Sequence, residues 1–241
     1  MLRISTSAGL RHVFAVVIGL GAAAATADPA HAVERTAPTV VELFTSQGCS
    51  SCPPANENVR ALAGQPGVLA LSFGVTYWDY LGWKDIFAAE EYTDRQRAYV
   101  RPLGNSSPFT PQVVVNGRRD VVGNRRGELD ALIAASHFDA GAPAVALAAR
   151  AVQVGAGKAP GGSADVWLVR YDPETIEVPV GRGENGGRTL PHTNVVRDLR
   201  RIGNWTGAPT EFPVPAAPKG LRTAVLVQTP QGGPILGAAT D

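Results

Sequence analysis

The feature that most restricts the fold of this chain is an alternation of short apolar runs and amphipathic runs before residue 140. Pro38–Phe44 and Gly67–Val75 are short and largely apolar, which indicates buried strands. Three further runs indicate helices: 56–64, between these two strands, and 86–104 and 126–138, after them. Asn116-Gly117 separates two valine-rich runs and predicts a hairpin, because both central positions of a type I′ turn need a positive φ.

The order of these elements is strand, helix, strand, helix, strand, strand, helix. It predicts a mixed sheet with helices on its faces over residues 36–140. The composition then changes, and alternating runs separated by Gly and Pro continue through residues 143–241. We expect a second, small antiparallel β-rich domain there, with at most one helical turn at 194–203. Hydrophobic residues make up 44% of the chain, which is enough for a real core.

The N-terminus has the pattern of a secretory signal. Two arginines flank a polar start, the apolar run Val13–Ala25 follows, and Ala30-His31-Ala32 is a small-x-small cleavage sequence. The apolar run is too short to span a bilayer as a stable helix. We therefore expect residues 1–32 to be a signal peptide cleaved after Ala32, with an uncleaved anchor as the alternative. The mature protein is then periplasmic or secreted.

The charge balance of the mature chain argues against two kinds of partner. Residues 33–241 carry equal numbers of acidic and basic residues. A balanced surface gives no electrostatic footprint for nucleic acid or for an anionic membrane surface. We therefore expect no nucleic-acid partner, and no membrane contact beyond the signal peptide.

Both cysteines of the chain lie in one short sequence, Cys49-Ser50-Ser51-Cys52, between a predicted strand and a predicted helix. A disulfide that closes so small a loop stabilises by roughly 2 kcal/mol, against about 3 kcal/mol for fifteen residues. The pair is better placed for chemistry, because a helix N-terminus favours a thiolate on Cys49 and Cys52 is close enough to resolve a mixed disulfide. These features favour a redox pair over a structural disulfide or a metal clip.

The chain also resembles a known superfamily. A strand–CxxC–helix unit, a later Thr110-Pro111 that opens a strand, a hairpin and a final helix together are similar to the thioredoxin superfamily. Four stretches more narrowly resemble the exported thioredoxin-like proteins of the domain-of-unknown-function 1223 family: VELFTSQGCSSCPPANENV, TYWDYLGWKD, FTPQVVVNG and GRGENGGRTLPHTNVV. That family has no assigned reaction. The resemblance implies a thioredoxin-like mixed sheet flanked by helices, followed by the small antiparallel β-rich domain.

The superfamily resemblance also implies residue roles. Cys49 would be the attacking thiolate and Cys52 the resolving thiol. Pro111 would be a cis proline facing the disulfide, and Thr110 would offer backbone hydrogen bonds to a bound peptide. The leading prediction is thiol–disulfide exchange with thiols or disulfides of exported proteins and with a redox partner. No organic cofactor is required.

Two features of this sequence depart from the superfamily pattern. Cys52 precedes Pro53-Pro54, and a residue before proline avoids the α region, so the helix is expected to begin at Pro53 and to hold Cys49 less strongly. The nearest preceding acid is Glu42, which is either a proton-transfer group for Cys52 or a strand-end charge facing solvent. The linker Ser50-Ser51 has neither charge nor imidazole and marks the pair as neither strong oxidant nor strong reductant.

Two alternatives to redox chemistry remain open. A copper metallochaperone would use Cys49, Cys52 and His192 as ligands of soft and borderline character. A non-catalytic binding module would keep the fold and have an inert or buried Cys49. We expect no metal at the site.

Two further stretches have a functional and a structural interpretation. The aromatic segment 76–85 either forms a wall of a substrate groove near Cys49 or packs against the protein's own helix or β-rich domain. Gly181–Gly186 matches a dinucleotide-binding motif in form, but Pro191 interrupts the helix that such a motif needs. A charged hairpin loop with Arg182, Glu184 and Arg188 is the preferred interpretation.

Overall fold

The computed structural model describes residues 1–4 and 37–241 of the chain, so the predicted signal peptide and its cleavage site after Ala32 lie outside the described residues. Up to residue 140 the elements alternate in the predicted order: β1 (Thr39–Thr45), α1 (Pro53–Leu62), β2 (Val68–Gly74), α2 (Glu90–Val100), β3 (Gln112–Val115), β4 (Arg119–Val122) and α3 (Arg126–Ala134). Strands follow: β5 (Val145–Ala148), β6 (Ala151–Val154), β7 (Ala164–Asp172), β8 (Ile176–Pro179), β9 (Thr189–His192), β10 (Val195–Trp205), β11 (Thr210–Pro213), β12 (Arg222–Gln228) and β13 (Ile235–Thr240).

An eight-stranded sheet joins both parts of the chain, in the order β13-β12-β7-β10-β2-β1-β3-β4. β1 runs parallel to β2 and antiparallel to β3, while β7, β12 and β13 pair antiparallel. The two parts meet where β10 pairs in parallel with β2, through Val195 and Ser72. The fold is therefore a mixed α/β arrangement with one large mixed sheet. The predicted boundary near residue 140 does not separate two sheets, and Thr36–Asp241 forms one compact unit.

Successive side chains of β1 point to opposite faces of this sheet, and the two faces are covered by different helices. Val41 and Leu43 point to the face covered by α1 and α3, where they pack with Val59. Val40 and Phe44 point to the other face, where they pack against α2. Beyond β10, a three-stranded antiparallel sheet of β11, β6 and β5 packs on the large sheet around a second core. The separate hairpin of β8 and β9 contacts α1.

The Asn116-Gly117 hairpin prediction is confirmed. Asn116 has a φ of 48° and Gly117 a φ of 61°, and β3 and β4 pair antiparallel on either side of them. The sequence allowed at most one helical turn at 194–203; no helical turn forms among these described residues, because 195–203 lie in the long strand β10. β10 has β-neighbours on both sides, β2 and β7, and their backbone hydrogen bonds decide its conformation.

The helices begin where local chemistry allows. α1 starts at Pro53, as the two prolines led us to expect, and α2 starts at Glu90 rather than near Ile86, which is exposed. The four residues in between belong to a turn held by Asp85, whose carboxylate accepts a hydrogen bond from Phe87 N at 2.8 Å. Within the described part of the chain, the helices are all too short or too polar to cross a membrane.

Candidate functional site

The two cysteines form a disulfide in the turn between β1 and α1, with their Cα atoms 5.5 Å apart. Cys52 directly precedes α1, and its backbone angles, φ −79° and ψ −32°, lie in the α region. The expectation that a residue before proline avoids this region is therefore wrong for Cys52, although the helix does begin at Pro53. Cys49 is 1% exposed and Cys52 is fully buried, whereas Ser50 and Ser51 between them are exposed. The pair thus lies just beneath the surface, with its linker at the surface.

Residues 181–188, here called the clamp loop, hold this turn from the C-terminal part of the chain. The side chain of Asn185 is fully buried, and its Nδ2 donates to Gln47 O at 3.0 Å and to Cys49 O at 2.8 Å. Asn185 Oδ1 accepts a hydrogen bond from Arg188 at 2.7 Å, which fixes the amide from its other end. A loop that is mostly exposed therefore has one buried side chain, and that side chain binds the cysteine turn.

Glu184 makes a second contact between the clamp loop and the turn. Its Oε2 accepts a hydrogen bond from Ser50 N at 2.9 Å, and hydrogen bonding from the Ser50 side chain and then from its backbone N–H lowers the pKa of the exposed Glu184 carboxyl. The sequence predicted a charged hairpin loop here, and the structure shows that this loop contacts the cysteine turn. Glu184 therefore brings a negative charge to a linker whose own side chains are neutral.

Asp85 is a third group that binds the turn. Its Oδ2 accepts a hydrogen bond from Gln47 N at 2.7 Å, and the residue is 2% exposed. Burial raises the pKa of Asp85 to about 6, although hydrogen bonds from Gln47 N and Phe87 N oppose that shift. Asp85 is thus a buried acid with a pKa of about 6, and it binds the backbone N–H of Gln47, two residues before Cys49.

The raised pKa of Asp85 makes stability depend on pH. Because the folded-state pKa lies above the unfolded value, Asp85 stabilises the fold below about pH 4 and this contribution is lost as pH rises through about 6. We expect the unfolding free energy of wild type, relative to Asp85→Asn, to fall by about 3 kcal/mol over that window. Denaturant titrations between pH 4 and 7 test this, with the exposed Asp94→Asn as control; a flat difference contradicts it.

The aromatic segment lies beside the turn. Trp78 Nε1 donates to Thr110 Oγ1 at 2.7 Å, and a Cβ added at Gly48 would lie 3.2 Å from Trp78 Cβ. Trp83 Nε1 donates to Gln47 Oε1 at 2.9 Å. Trp78 therefore stands between the cysteine turn and Thr110, whose peptide bond to Pro111 is cis.

Tyr77 and Tyr80 of the same segment point elsewhere. Tyr77 OH donates to Gln96 Oε1 of α2 at 3.1 Å, while Tyr80 is 77% exposed. The segment therefore agrees in part with both interpretations, a wall near Cys49 and packing against a helix of the same chain. Its tryptophans line the turn, and Tyr77 attaches the segment to a helix of the same chain.

Glu42 is not brought to the cysteines. It lies on the face of β1 that packs against α2, opposite to the face covered by α1, and it is fully buried. Its Oε1 accepts from Arg95 Nε at 2.6 Å, and its Oε2 accepts from Tyr99 OH. The structure therefore gives Glu42 a buried ion pair, instead of solvent or Cys52. A cavity of about 310 Å³ lies beside this pair and is lined in part by Arg95, Tyr99 and Trp167.

His192 does not join the cysteines in a metal site. It is 3% exposed, its ring meets Phe87 edge-on at 5.4 Å, and burial lowers its pKa to about 4. Its Nε2 has no hydrogen-bond partner among the residues that the structure describes. In residues 1–4 and 37–241, no three His, Cys, Asp or Glu side chains come together as metal ligands.

Sequence reasoning did not single out Asp85 or Asn185, and it named Glu184 without its contact. Their bonds to the turn span 38, 136 and 134 residues. No local spacing reports a contact over such distances. The usable signal was compositional: an Asn and a Glu in a glycine-rich loop, which the resemblance had already grouped with the cysteine stretch.

Comparison with known proteins identifies the family. The family model described as "Protein of unknown function (DUF1223)" matches residues 40–228. The chain belongs to this family. No curated protein matches this DUF1223 protein. Among solved structures, an X-ray structure of a protein from Agrobacterium tumefaciens is 36% identical, with a TM-score of 0.69. The match covers 85% of this DUF1223 protein and 94% of the Agrobacterium chain.

A more distant solved structure shares the fold of the DUF1223 protein. HBP35 of Porphyromonas gingivalis is 13% identical, with a TM-score of 0.52. The match covers 86% of this chain and 75% of HBP35. At this identity the similarity concerns the fold alone.

Proposed function

We propose that this protein carries out thiol–disulfide exchange with exported proteins through Cys49 and Cys52. The observation that carries the proposal is the Cys49–Cys52 disulfide itself, placed in the turn from β1 to α1 with an exposed linker. A disulfide that closes so small a loop adds little to stability, so redox chemistry accounts for it better than stapling.

The surrounding elements support a thioredoxin-like arrangement as part of this proposal. β1 leads into the cysteines, α1 leads out of them, and β1 pairs with the parallel β2 and the antiparallel β3. Thr110 and Pro111 directly precede β3, and Thr110 bonds to Trp78, which lies against Gly48 of the cysteine turn. In this arrangement Cys49 exchanges with the partner and Thr110 offers its backbone to a bound peptide.

The exchange proceeds through a mixed disulfide. A partner thiolate attacks Cys49 Sγ, a partner–Cys49 bond forms, and Cys52 leaves as a thiolate. A second partner thiolate then attacks the partner sulfur, releasing Cys49 and leaving the partner oxidised. The reverse sequence reduces a partner disulfide, with Cys49 attacking first and Cys52 resolving. Because Cys49 is 1% exposed, either direction needs a local displacement of the atoms that cover its sulfur.

Trapping the mixed disulfide tests the proposal. In Cys52→Ser the resolving thiol is missing, so we expect covalent adducts that persist without reductant and disappear with it. The full chain is expressed from its own start codon, and adducts are compared on non-reducing and reducing gels. The matched control, Cys49→Ser with Cys52→Ser, should give none. Absence of Cys49-dependent adducts, with the protein recovered from an oxidising compartment, would reject exchange.

The burial of Cys49 specifically favours a second candidate, a non-catalytic binding module. Such a protein would keep the fold and hold its disulfide as an inert feature. It would form no adducts as Cys52→Ser, and Cys49→Ser would leave its function unchanged. The trapping experiment therefore separates the two candidates in one step.

A further inference from the structure

The charges that contact the cysteine turn come from outside the CxxC sequence, and they are carboxylates. Glu184 Oε2 binds Ser50 N at 2.9 Å, and Asp85 Oδ2 binds Gln47 N at 2.7 Å. In sequence, Cys49 thus lies between Gln47 and Ser50, and the backbone N–H of each of these residues donates a hydrogen bond to a carboxylate. The guanidinium of Arg188 donates to Asn185 Oδ1 at 2.7 Å, and the same amide binds the turn.

The helix that follows supplies few donors to a thiolate. Pro53 and Pro54 are its first residues and have no N–H, and Ala55 N and Asn56 N bond to Cys52 O. The Ser51 hydroxyl, with Oγ 3.3 Å from Cys49 Sγ, is within reach as a donor. Thiolates at such turns are normally stabilised by free N–H groups and positive charge. Here the Ser50 N–H is already bonded to Glu184, and the two charged side chains that bond to backbone N–H groups of the turn are both carboxylates.

We propose that Glu184 poises the cysteine pair as an electron donor, so that the dithiol form of this protein reduces the disulfides of its substrates. A carboxylate beside Cys49 disfavours the thiolate and with it the reduced state. A pair whose reduced state is destabilised passes its electrons on, whereas a stabilised reduced state makes an oxidant. This inference rests on the proposed exchange function and names its substrate class: disulfide-bonded exported polypeptides.

The reaction balances without a bound cofactor. Cys49 thiolate attacks one sulfur of the substrate disulfide, which forms the Cys49–substrate bond and releases the other substrate sulfur as a thiolate. Cys52 thiolate then attacks Cys49 Sγ, which forms the Cys49–Cys52 bond and releases the second substrate thiolate. Two electrons pass to the substrate, and the protons lost by Cys49 and Cys52 end on its two thiols. A dithiol donor protein restores the pair by the same exchange in reverse.

Glu184→Gln tests the role of the charge, because it keeps the acceptor oxygen and removes the negative charge. In a Cys52→Ser background, the midpoint pH for alkylation of Cys49 should fall by about half a unit to one unit; the effect is limited by solvent screening. With both cysteines present and the pH above both midpoints, the equilibrium constant for reduction by glutathione should rise about three- to tenfold, or roughly 15–30 mV. Glu177→Gln, on exposed β8, is the matched control and should change neither quantity.

Three results would overturn the inference. If Glu184→Gln changed neither the alkylation midpoint nor the equilibrium constant for reduction, this carboxylate would not influence the reduction potential of the pair. An equal change in Glu177→Gln would assign the effect to net charge. If reduced wild-type protein resisted oxidation by excess oxidised glutathione, the pair would not be an electron donor. These measurements use purified full-length protein and glutathione, so a Cys52→Ser variant that traps no partner would reject the exchange function and substrate class, while the effect of Glu184 would still be measured.

Discussion

Arg95→Met is expected to lower the free energy of unfolding by about 3–5 kcal/mol, the largest loss of stability among the changes considered. Its guanidinium is 5% exposed and donates to the fully buried Glu42 carboxylate at 2.6 Å. The same group lies 5.5 Å from the ring of Trp167 and 5.6 Å from that of Tyr99. Removing it leaves a buried carboxylate without its charge partner, and burial of an unpaired charge is what costs this much.

Arg97→Met, two residues along the same helix, is the matched control. Arg97 pairs with Glu90 and Asp94 at the surface, where its side chain is 50% exposed, so its loss should cost less than about 1 kcal/mol. The double change Glu42→Gln with Arg95→Met should recover part of the lost stability, because it removes the orphaned charge. Chemical denaturation measures all three. A loss in Arg95→Met no larger than that in Arg97→Met would show that the pair is not stabilising.

Asn185→Ala is expected to speed reduction of the Cys49–Cys52 disulfide by dithiothreitol by roughly tenfold or more. The substitution leaves Gln47 O and Cys49 O without their shared donor, and a buried group that loses its partner costs about 1–3 kcal/mol. Cys49 is 1% exposed, so the reductant reaches its sulfur only when the turn opens locally. Destabilising the closed turn by that amount raises the open population, and the rate follows it.

Arg182→Ala provides the control within the clamp loop, because Arg182 is exposed and makes no hydrogen bond or ion pair within the described chain. It should leave the reduction rate unchanged. The rate is followed by quenching with a thiol-reactive label at timed intervals. An Asn185→Ala protein reduced at the wild-type rate would show that the clamp loop does not govern access to Cys49.

Local pattern was sufficient for most elements before residue 140. The run Pro38–Phe44 became β1 and Gly67–Val75 became β2, each within a residue or two at either end. Both are buried on two faces, so their sequences are mostly apolar and easy to interpret, although β1 contains Glu42 and β2 contains Ser72. The Asn116-Gly117 turn was equally clear, since few residues adopt positive φ.

The strand β10 shows why local pattern failed later in the chain. Its apolar residues Val195, Val196, Leu199 and Ile202 have the spacing of one face of a helix. The register against β7 shifts between Val196 and Asp198 and again between Arg201 and Gly203. Each bulge inserts a residue and breaks the two-residue alternation, so a strand acquires an apolar period like that of a helix.

The residues of the candidate site also fall into two groups, those that a local motif predicted and those that only the fold brings together. The cysteines, Thr110 and Pro111 were identified from the sequence and its resemblance, because each belongs to a short motif. Glu42 was the nearest acid in sequence, but strand alternation directs its side chain to the opposite face from α1. The acids that do bind the turn, Asp85 and Glu184, come from distant segments that only the folded chain brings there.

The clamp loop also imposes an order on biosynthesis. Asn185 lies 136 residues after Cys49, so both cysteines leave the ribosome long before the residue that holds their turn. Until that later segment arrives, the β2 edge that β10 will occupy is unpaired and the thiols are open to any oxidant they meet. The nascent chain therefore has a period of unguarded cysteine chemistry, which ends only when its C-terminal half has been made and folded.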